Sequence, residues 1–257
     1  MTPSFSTISL DRQQKVALIS LNNPPLNVIT LQMMDELIQI LAEIEQNPEV
    51  SVILISGKGS SFSAGVGIAA HTPDKVEMML AKFHGVIRAL VSSKKVTVAK
   101  VRGNCMGGGA ELAMVCDVVY TGKSARWAFP EISLGCYPPV ACTALAALIG
   151  QKRAAELILT GRTITGTEAG NIGLVTRVVP DYKLETTVQK VLGQLVRFSS
   201  SSLAITKKAI YAWDSMHFDK GLARAEKIYL EELIQTTDAQ EGINAFLEKR
   251  HPRWTGR

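Results

Sequence analysis

Two hydrophobic rhythms alternate in the first hundred residues. Residues 16–21, 52–55 and 96–101 are short apolar, β-branched runs of strand length. Between the first two, Met34, Leu37, Ile38, Leu41 and Ile44 recur at helical spacing across 31–46. Val76, Met79, Leu80, Phe83, Ile87 and Leu90 do the same across 74–92. The pattern predicts an α/β protein of ββα or βαβ units. Asn22-Asn23-Pro24-Pro25 breaks the chain before the first helix, and Gly57-Lys58-Gly59-Ser60-Ser61 opens a loop after the second strand. From about Leu184 the helical period takes over, in segments 184–198, 203–216 and 222–246 with a break at Asp238. Ser199–Ser202 and 217–221 separate them. A boundary between 183 and 200 is expected, and the absence of a long linker predicts that the two parts pack as one unit.

Length and charge narrow the class. At about 150 residues per domain, 257 residues make one or two units. Cys105, Cys116, Cys136 and Cys142 are too few and too irregularly spaced for a disulfide scaffold or a paired zinc motif, so they read as small buried apolar residues in a reducing compartment. Asp11, Arg12 and Lys15 stand where an export signal carries its apolar run, and no run reaches about 18 apolar residues. A cytoplasmic protein without membrane association is expected. The net charge of +5 is scattered except for Lys249, Arg250, Arg253 and Arg257, which suit a solvated tail or a phosphorylated small molecule better than nucleic acid.

Several motifs fail on inspection. Gly65-Val66-Gly67-Ile68-Ala69-Ala70 matches a dinucleotide fingerprint, but it does not directly follow a strand and no acid stands at the required distance. Asp117 occupies the first-glycine position of the phosphate loop that Thr121-Gly122-Lys123-Ser124 would end. His71, His84, His217 and His251 have no ligand spacing, so no metal is expected and each reads as a surface or packing residue.

What remains is Gly103-Asn104-Cys105-Met106-Gly107-Gly108-Gly109-Ala110-Glu111, after the strand 96–101. A triple glycine brings backbone amides close to a ligand, and a helix start there suits an anion or a developing oxyanion. Glu131 follows in apolar surroundings of Trp127, Ala128, Phe129, Ile132 and Leu134, where desolvation raises a carboxyl pKa. One acid at an amide cluster and a second in apolar surroundings can together add water, one taking a proton and the other giving one.

With these residues in hand, the chain resembles the crotonase, or enoyl-CoA hydratase/isomerase, superfamily over nearly its whole length. The resemblance runs through Asn23-Pro24-Pro25-Leu26-Asn27, Phe62-Ser63-Ala64-Gly65-Val66, Gly107–Glu111 with Cys116-Asp117, Phe129–Gly135, Leu159-Thr160-Gly161, Gly173-Leu174-Val175 and 238–250. It implies a ββα superhelix core over 1–190 and a helical trimerisation region over 191–257, in a trimer or dimer of trimers. It implies that the backbone amides of Val66 and Gly108 hold a thioester oxygen and that Glu111 and Glu131 are catalytic. Leu26, Ala64, Phe246 and Lys249 are the implied coenzyme A contacts, the last approaching from a neighbouring subunit. No separate cofactor is implied, because coenzyme A is part of the substrate.

Departures from the family pattern concern the acyl side. Gly67 replaces an acid usual after the Gly-x pair, and Cys136-Tyr137-Pro138-Pro139-Val140-Ala141 replaces a glycine-rich segment. Proline fixes backbone and removes amide donors, so the pocket beside Glu131 is expected to be stiffer. His71, Trp127, Tyr137, Pro138 and Pro139 are the expected pocket residues. The segments around Ser63–Val66, His71 and 129–140 resemble cyclohexa-1,5-diene-1-carbonyl-CoA hydratases, which implies addition of water to a cyclic diene thioester. Straight-chain hydration and isomerisation are the alternatives; a non-catalytic thioester-binding or RNA-binding protein is a more distant one.

Overall fold

The computed structural model describes the backbone of residues 5–211 and 215–256, without the side chains of 215–217. His217 and Arg257 of the sequence reading therefore lie outside the described side chains, as do residues 212–216 of the second helical segment.

Strands β1 (Ile8–Gln13), β2 (Val16–Leu21), β3 (Val52–Gly57) and β4 (Val96–Val101) build most of the main sheet, with α1 (Leu31–Gln46) and α2 (Val76–Ser92) as the crossovers. The short β5 (Asn104–Met106) precedes α3 (Gly108–Met114), and β6 (Val118–Gly122) and β7 (Arg126–Ala128) follow. Then come α4 (Pro139–Ile149), α5 (Gln151–Thr160), β8 (Ile164–Thr165), α6 (Gly166–Asn171) and β9 (Arg177–Val179). Four helices complete the chain: α7 (Leu184–Leu195), α8 (Ser200–Tyr211), α9 (Ser215–Glu231) and α10 (Thr237–Leu247).

The six-stranded sheet has the order β1-β2-β3-β4-β6-β9, antiparallel only at β1-β2. A second sheet, β5-β7-β8, stands beside it. Inner parallel strands are covered on both faces, which is why β2, β3 and β4 are mostly apolar, with Ser20, Ser56, Thr97 and Lys100 as the polar exceptions. Helix α1 starts where the Thr30 hydroxyl accepts the Met33 amide, and it buries Met33, Met34, Leu37, Ile40, Leu41 and Ile44 on one stripe.

The expected break at 217–221 is not observed, because α9 runs through it. Cys105, Cys116 and Cys136 are buried as expected, but Cys142 is exposed and faces a cleft of about 780 Å³ that contains neither Glu111 nor Glu131. Among the described residues no helix is long and apolar enough to cross a membrane.

Helix α8 is tied to the main sheet through a buried cation. Lys207 Nζ lies 2.8 Å from Asp117 Oδ2 and donates to the Lys95 carbonyl at 3.0 Å, while the same Asp117 oxygen accepts the Thr97 amide at 2.7 Å. Removing one partner of a buried pair strands the other's charge. Lys207→Met is expected to lower unfolding free energy by about 3 kcal/mol in denaturant titration, the low end for such a pair because Thr97 still serves Asp117. A loss below about 0.5 kcal/mol would reduce the contact to the level of a surface pair.

Candidate active site

The loop after β3 and the turn after β5 converge on one small cavity. Asn27 is fully buried, and its Nδ2 donates to the Lys58 and Ser61 carbonyls at 2.9 Å each. The Ser63 hydroxyl donates to the Asn27 carbonyl at 2.7 Å and accepts the Gly65 amide at 3.0 Å. That fixes Gly65 at φ +93°, a conformation suited to glycine. Ile29 then donates to the Gly65 carbonyl and accepts from the Gly67 amide, so the intervening Val66 turns its own N–H to the opposite side. Gly108 lies there, at the first position of α3, where an amide has no acceptor within its own helix. A Cβ on Gly108 would meet Val66 Cγ2 at 2.7 Å and Val66 N at 3.4 Å, so the two amides adjoin.

Both glutamates reach this cavity, which is about 100 Å³ and is also lined by Ala64, Val66, Gly107 and Gly108. Glu111 is buried in the first turn of α3, and its Oε1 accepts the Ala141 amide at 2.9 Å. Pro138 caps α4 and Pro139 is its first residue, where a missing N–H costs nothing. The two amides after that pair, those of Val140 and Ala141, serve Glu111. This donor pair escaped the sequence reading, which took the prolines only as a loss of donors. Glu131 sits on the 3₁₀ turn Pro130–Leu134, and its Oε2 is buried without a hydrogen-bond partner among the described residues.

Burial pushes both carboxyls above the ordinary range. The Ala141 and Val140 amides oppose the rise at Glu111, whereas the nearby charge of Glu111 adds to it at Glu131. Glu131 thus keeps its proton to higher pH and Glu111 ionises more readily. The two titrate as a pair.

His71, Tyr137, Pro138 and Pro139 line the same cavity. Trp127 does not: it is fully buried on β7, where its ring N–H donates to Thr121 Oγ1 at 3.1 Å. Strand pairing with Cys105 and Ile164 turns that indole into the core. Leu26 is partly exposed, and its carbonyl accepts the Ala64 amide at 2.9 Å. Phe246 and Lys249 are exposed on and just past α10 and are not brought to the cavity within one chain. The C-terminal part nonetheless contributes Tyr229 of α9, so the site is not confined to residues 1–190.

The Enoyl-CoA hydratase/isomerase family model matches residues 11–257. The chain belongs to that family. A "Probable enoyl-CoA hydratase" of Mycobacterium bovis is 34% identical over 257 residues, spanning 99% of this chain and 100% of its own. A cyclohexa-1,5-dienecarbonyl-CoA hydratase of Thauera aromatica is 32% identical over 248 residues, 96% of each chain. The crystal structure of an enoyl-CoA hydratase from Mycobacterium avium subsp. paratuberculosis superposes with a TM-score of 0.88 at 28% identity, over 98% of this chain and 100% of that one. The family fold is thus present throughout, and the chain is an enzyme of the family's hydratase kind.

Proposed function

We propose that this enoyl-CoA hydratase/isomerase family enzyme adds water to cyclohexa-1,5-diene-1-carbonyl-CoA and yields the 6-hydroxycyclohex-1-ene-1-carbonyl thioester. The observation that carries the reading is one cavity with two buried carboxyls of unequal proton affinity beside two adjoining backbone amides. In this reading the thioester oxygen lies against the amides of Val66 and Gly108. Addition at the β-carbon moves electrons onto that oxygen, and one comparable donor is worth roughly 3–4 kcal/mol. Glu111 takes a proton from water as the water oxygen bonds to carbon, and Glu131 gives its proton to the far end of the diene. One water is consumed, and the two carboxyls return to their starting state by passing a proton from Glu111 to Glu131.

The ring substrate is supported by the Thauera aromatica relative and by the stiff Pro138-Pro139 wall, which no glycine-rich loop would reproduce. Coenzyme A arrives as part of the substrate. In this reading Leu26 and Ala64 contact it from one chain, and Phe246 and Lys249 from a neighbouring subunit of a trimer or dimer of trimers. Light scattering on the purified protein should then give three or six times the chain mass; a monomer would remove the role of Phe246 and Lys249.

Turnover of cyclohexa-1,5-diene-1-carbonyl-CoA and of crotonyl-CoA, compared with products resolved by chromatography, tests the substrate. The cyclic diene should be hydrated faster, by a kcat/KM ratio of at least about tenfold, near 1.4 kcal/mol. Faster turnover of crotonyl-CoA would make the protein a straight-chain hydratase.

A further inference from the structure

The cavity also carries polar atoms that the hydration chemistry does not use. His84 on α2 and Tyr229 on α9 both line it, among Met79, Leu80 and Phe83. Four buried side-chain polar atoms lack a hydrogen-bond partner among the described residues: Ser51 Oγ, His84 Nε2, Glu131 Oε2 and the Tyr229 hydroxyl. Three of these four residues line this one cavity. Leaving such an atom unmet is costly, so its recurrence around one space marks groups kept for a ligand.

The imidazole of His84 is held in a defined state. It is fully buried, and its Nδ1 lies 2.6 Å from Glu226 Oε1 on α9. Arg88 Nη2 donates to the same oxygen at 2.9 Å, so Glu226 already has a cation and does not need an imidazolium. Burial holds the imidazole below its usual pKa against the opposing pull of Glu226. The ring is neutral, the carboxylate keeps the proton on Nδ1, and Nε2 is left with a lone pair. The Tyr229 hydroxyl has the Cys136 thiol as a soft neighbour outside hydrogen-bond geometry, so its hydrogen can turn from the sulfur to a ligand oxygen, and its ring stands edge-on to Tyr137 with centroids 5.2 Å apart. Burial keeps it protonated and therefore able to donate.

An acceptor and a donor lining one cavity of about 100 Å³ are matched by a single O–H group, which gives its hydrogen to one and takes a hydrogen bond from the other. A carboxylate would face a lone pair, and a plain hydrocarbon would leave both atoms unmet. We infer that His84 and Tyr229 form an O–H-binding subsite in the cavity, with Glu226 as the positioning residue that sets the His84 tautomer. The O–H belongs either to the hydroxyl of the hydrated acyl group or to a water held beside the substrate. This rests on the reading of the cavity as a hydratase site.

The test uses the purified enzyme with cyclohexa-1,5-diene-1-carbonyl-CoA and with its hydrated product, kcat and KM being measured in both directions. Tyr229→Phe and His84→Phe remove the donor and the acceptor, and His84→Gln offers an amide oxygen in place of Nε2. If the acyl hydroxyl is bound, both phenylalanine variants raise KM for the hydroxylated thioester about tenfold more than KM for the diene. If a water is held, both KM values shift by the same factor and kcat falls. In either case His84→Gln recovers most of the loss. The subsite is overturned if the folded variants keep every constant within about twofold, or if His84→Gln is as impaired as His84→Phe, which would leave His84 a packing residue. Should the wild-type enzyme not turn over the cyclic diene, the substrate reading fails by itself. The same variants are then compared on crotonyl-CoA and 3-hydroxybutyryl-CoA, with the same outcomes deciding.

Discussion

Glu131→Gln should lower kcat about 10²–10⁴-fold while KM for the thioester moves by less than about threefold. Glutamine fills the same space beside Gly107 but cannot hold a transferable proton, so a step is lost that matters only as bonds change. The wild-type enzyme should lose activity as pH rises above neutrality and Glu131 gives up the proton that burial and the Glu111 charge hold on it. That alkaline limb should vanish from the residual activity of Glu131→Gln. Glu111→Gln should lose at least about 100-fold as well, and its acidic limb should vanish, because Glu111 acts in its ionised form. Steady-state kinetics across pH on the three proteins reads all of this. Near-normal turnover in either variant would remove that glutamate from the chemistry.

Gly107→Ala should impair both folding stability and turnover, although it adds one carbon and touches no reacting group. Gly107 has φ +51° and ψ −128°, which L residues rarely adopt, and its amide donates to the Ala128 carbonyl at 2.9 Å. A Cβ there would stand 2.7 Å from Glu131 Oε1, close enough to force the carboxyl aside. The backbone strain costs roughly 1–3 kcal/mol. Misplacing a proton donor by about 1 Å can cost about 100-fold in rate. Thermal unfolding and kcat should therefore fall together, with KM nearly unchanged. A loss of stability without a loss of kcat would mean that Glu131 tolerates displacement and that its placement is not set by Gly107.

The parts of the fold that were legible are those whose burial is one-sided or complete over several residues. Strands β2, β3 and β4 are covered on both faces and read as largely apolar, β-branched runs, and α1 and α2 carry a single buried stripe. Strands β5, β7, β8 and β9 have two or three residues each, too few for any period to show. Strand β1 is an edge strand whose second half, Asp11-Arg12-Gln13, is exposed and polar. Helix α9 was cut too short in the reading because His217–Gly221 looks like a break, yet the helix continues through Gly221, against which Thr143 of α4 packs closely.

The glutamates were legible because an acid among glycines or among apolar residues is locally odd. His84 was not: within an apolar helical stripe it looks like a packing residue, and its meaning comes from Glu226, which lies 142 positions further along the chain. Trp127 misled for the converse reason. Proximity to Glu131 in sequence suggested a shared pocket, and the strand turned the indole the other way.

Backbone touches backbone where the last helix meets the turn that carries Glu131. A Cβ on Gly242 would stand 2.3 Å from the Leu134 carbonyl oxygen, and one on Gly135 would stand 2.8 Å from that of Asp238. A seam made of side chains can be retuned by successive substitutions on either face, each compensating the last. At these two points main chain faces main chain, so the spacing there is set by backbone dimensions. The last helix and the turn that carries Glu131 are consequently held at one spacing whatever changes on their outer surfaces. Grafting the terminal helices of one relative onto the core of another should succeed only where the grafted helix brings Gly242 and the recipient core keeps Gly135.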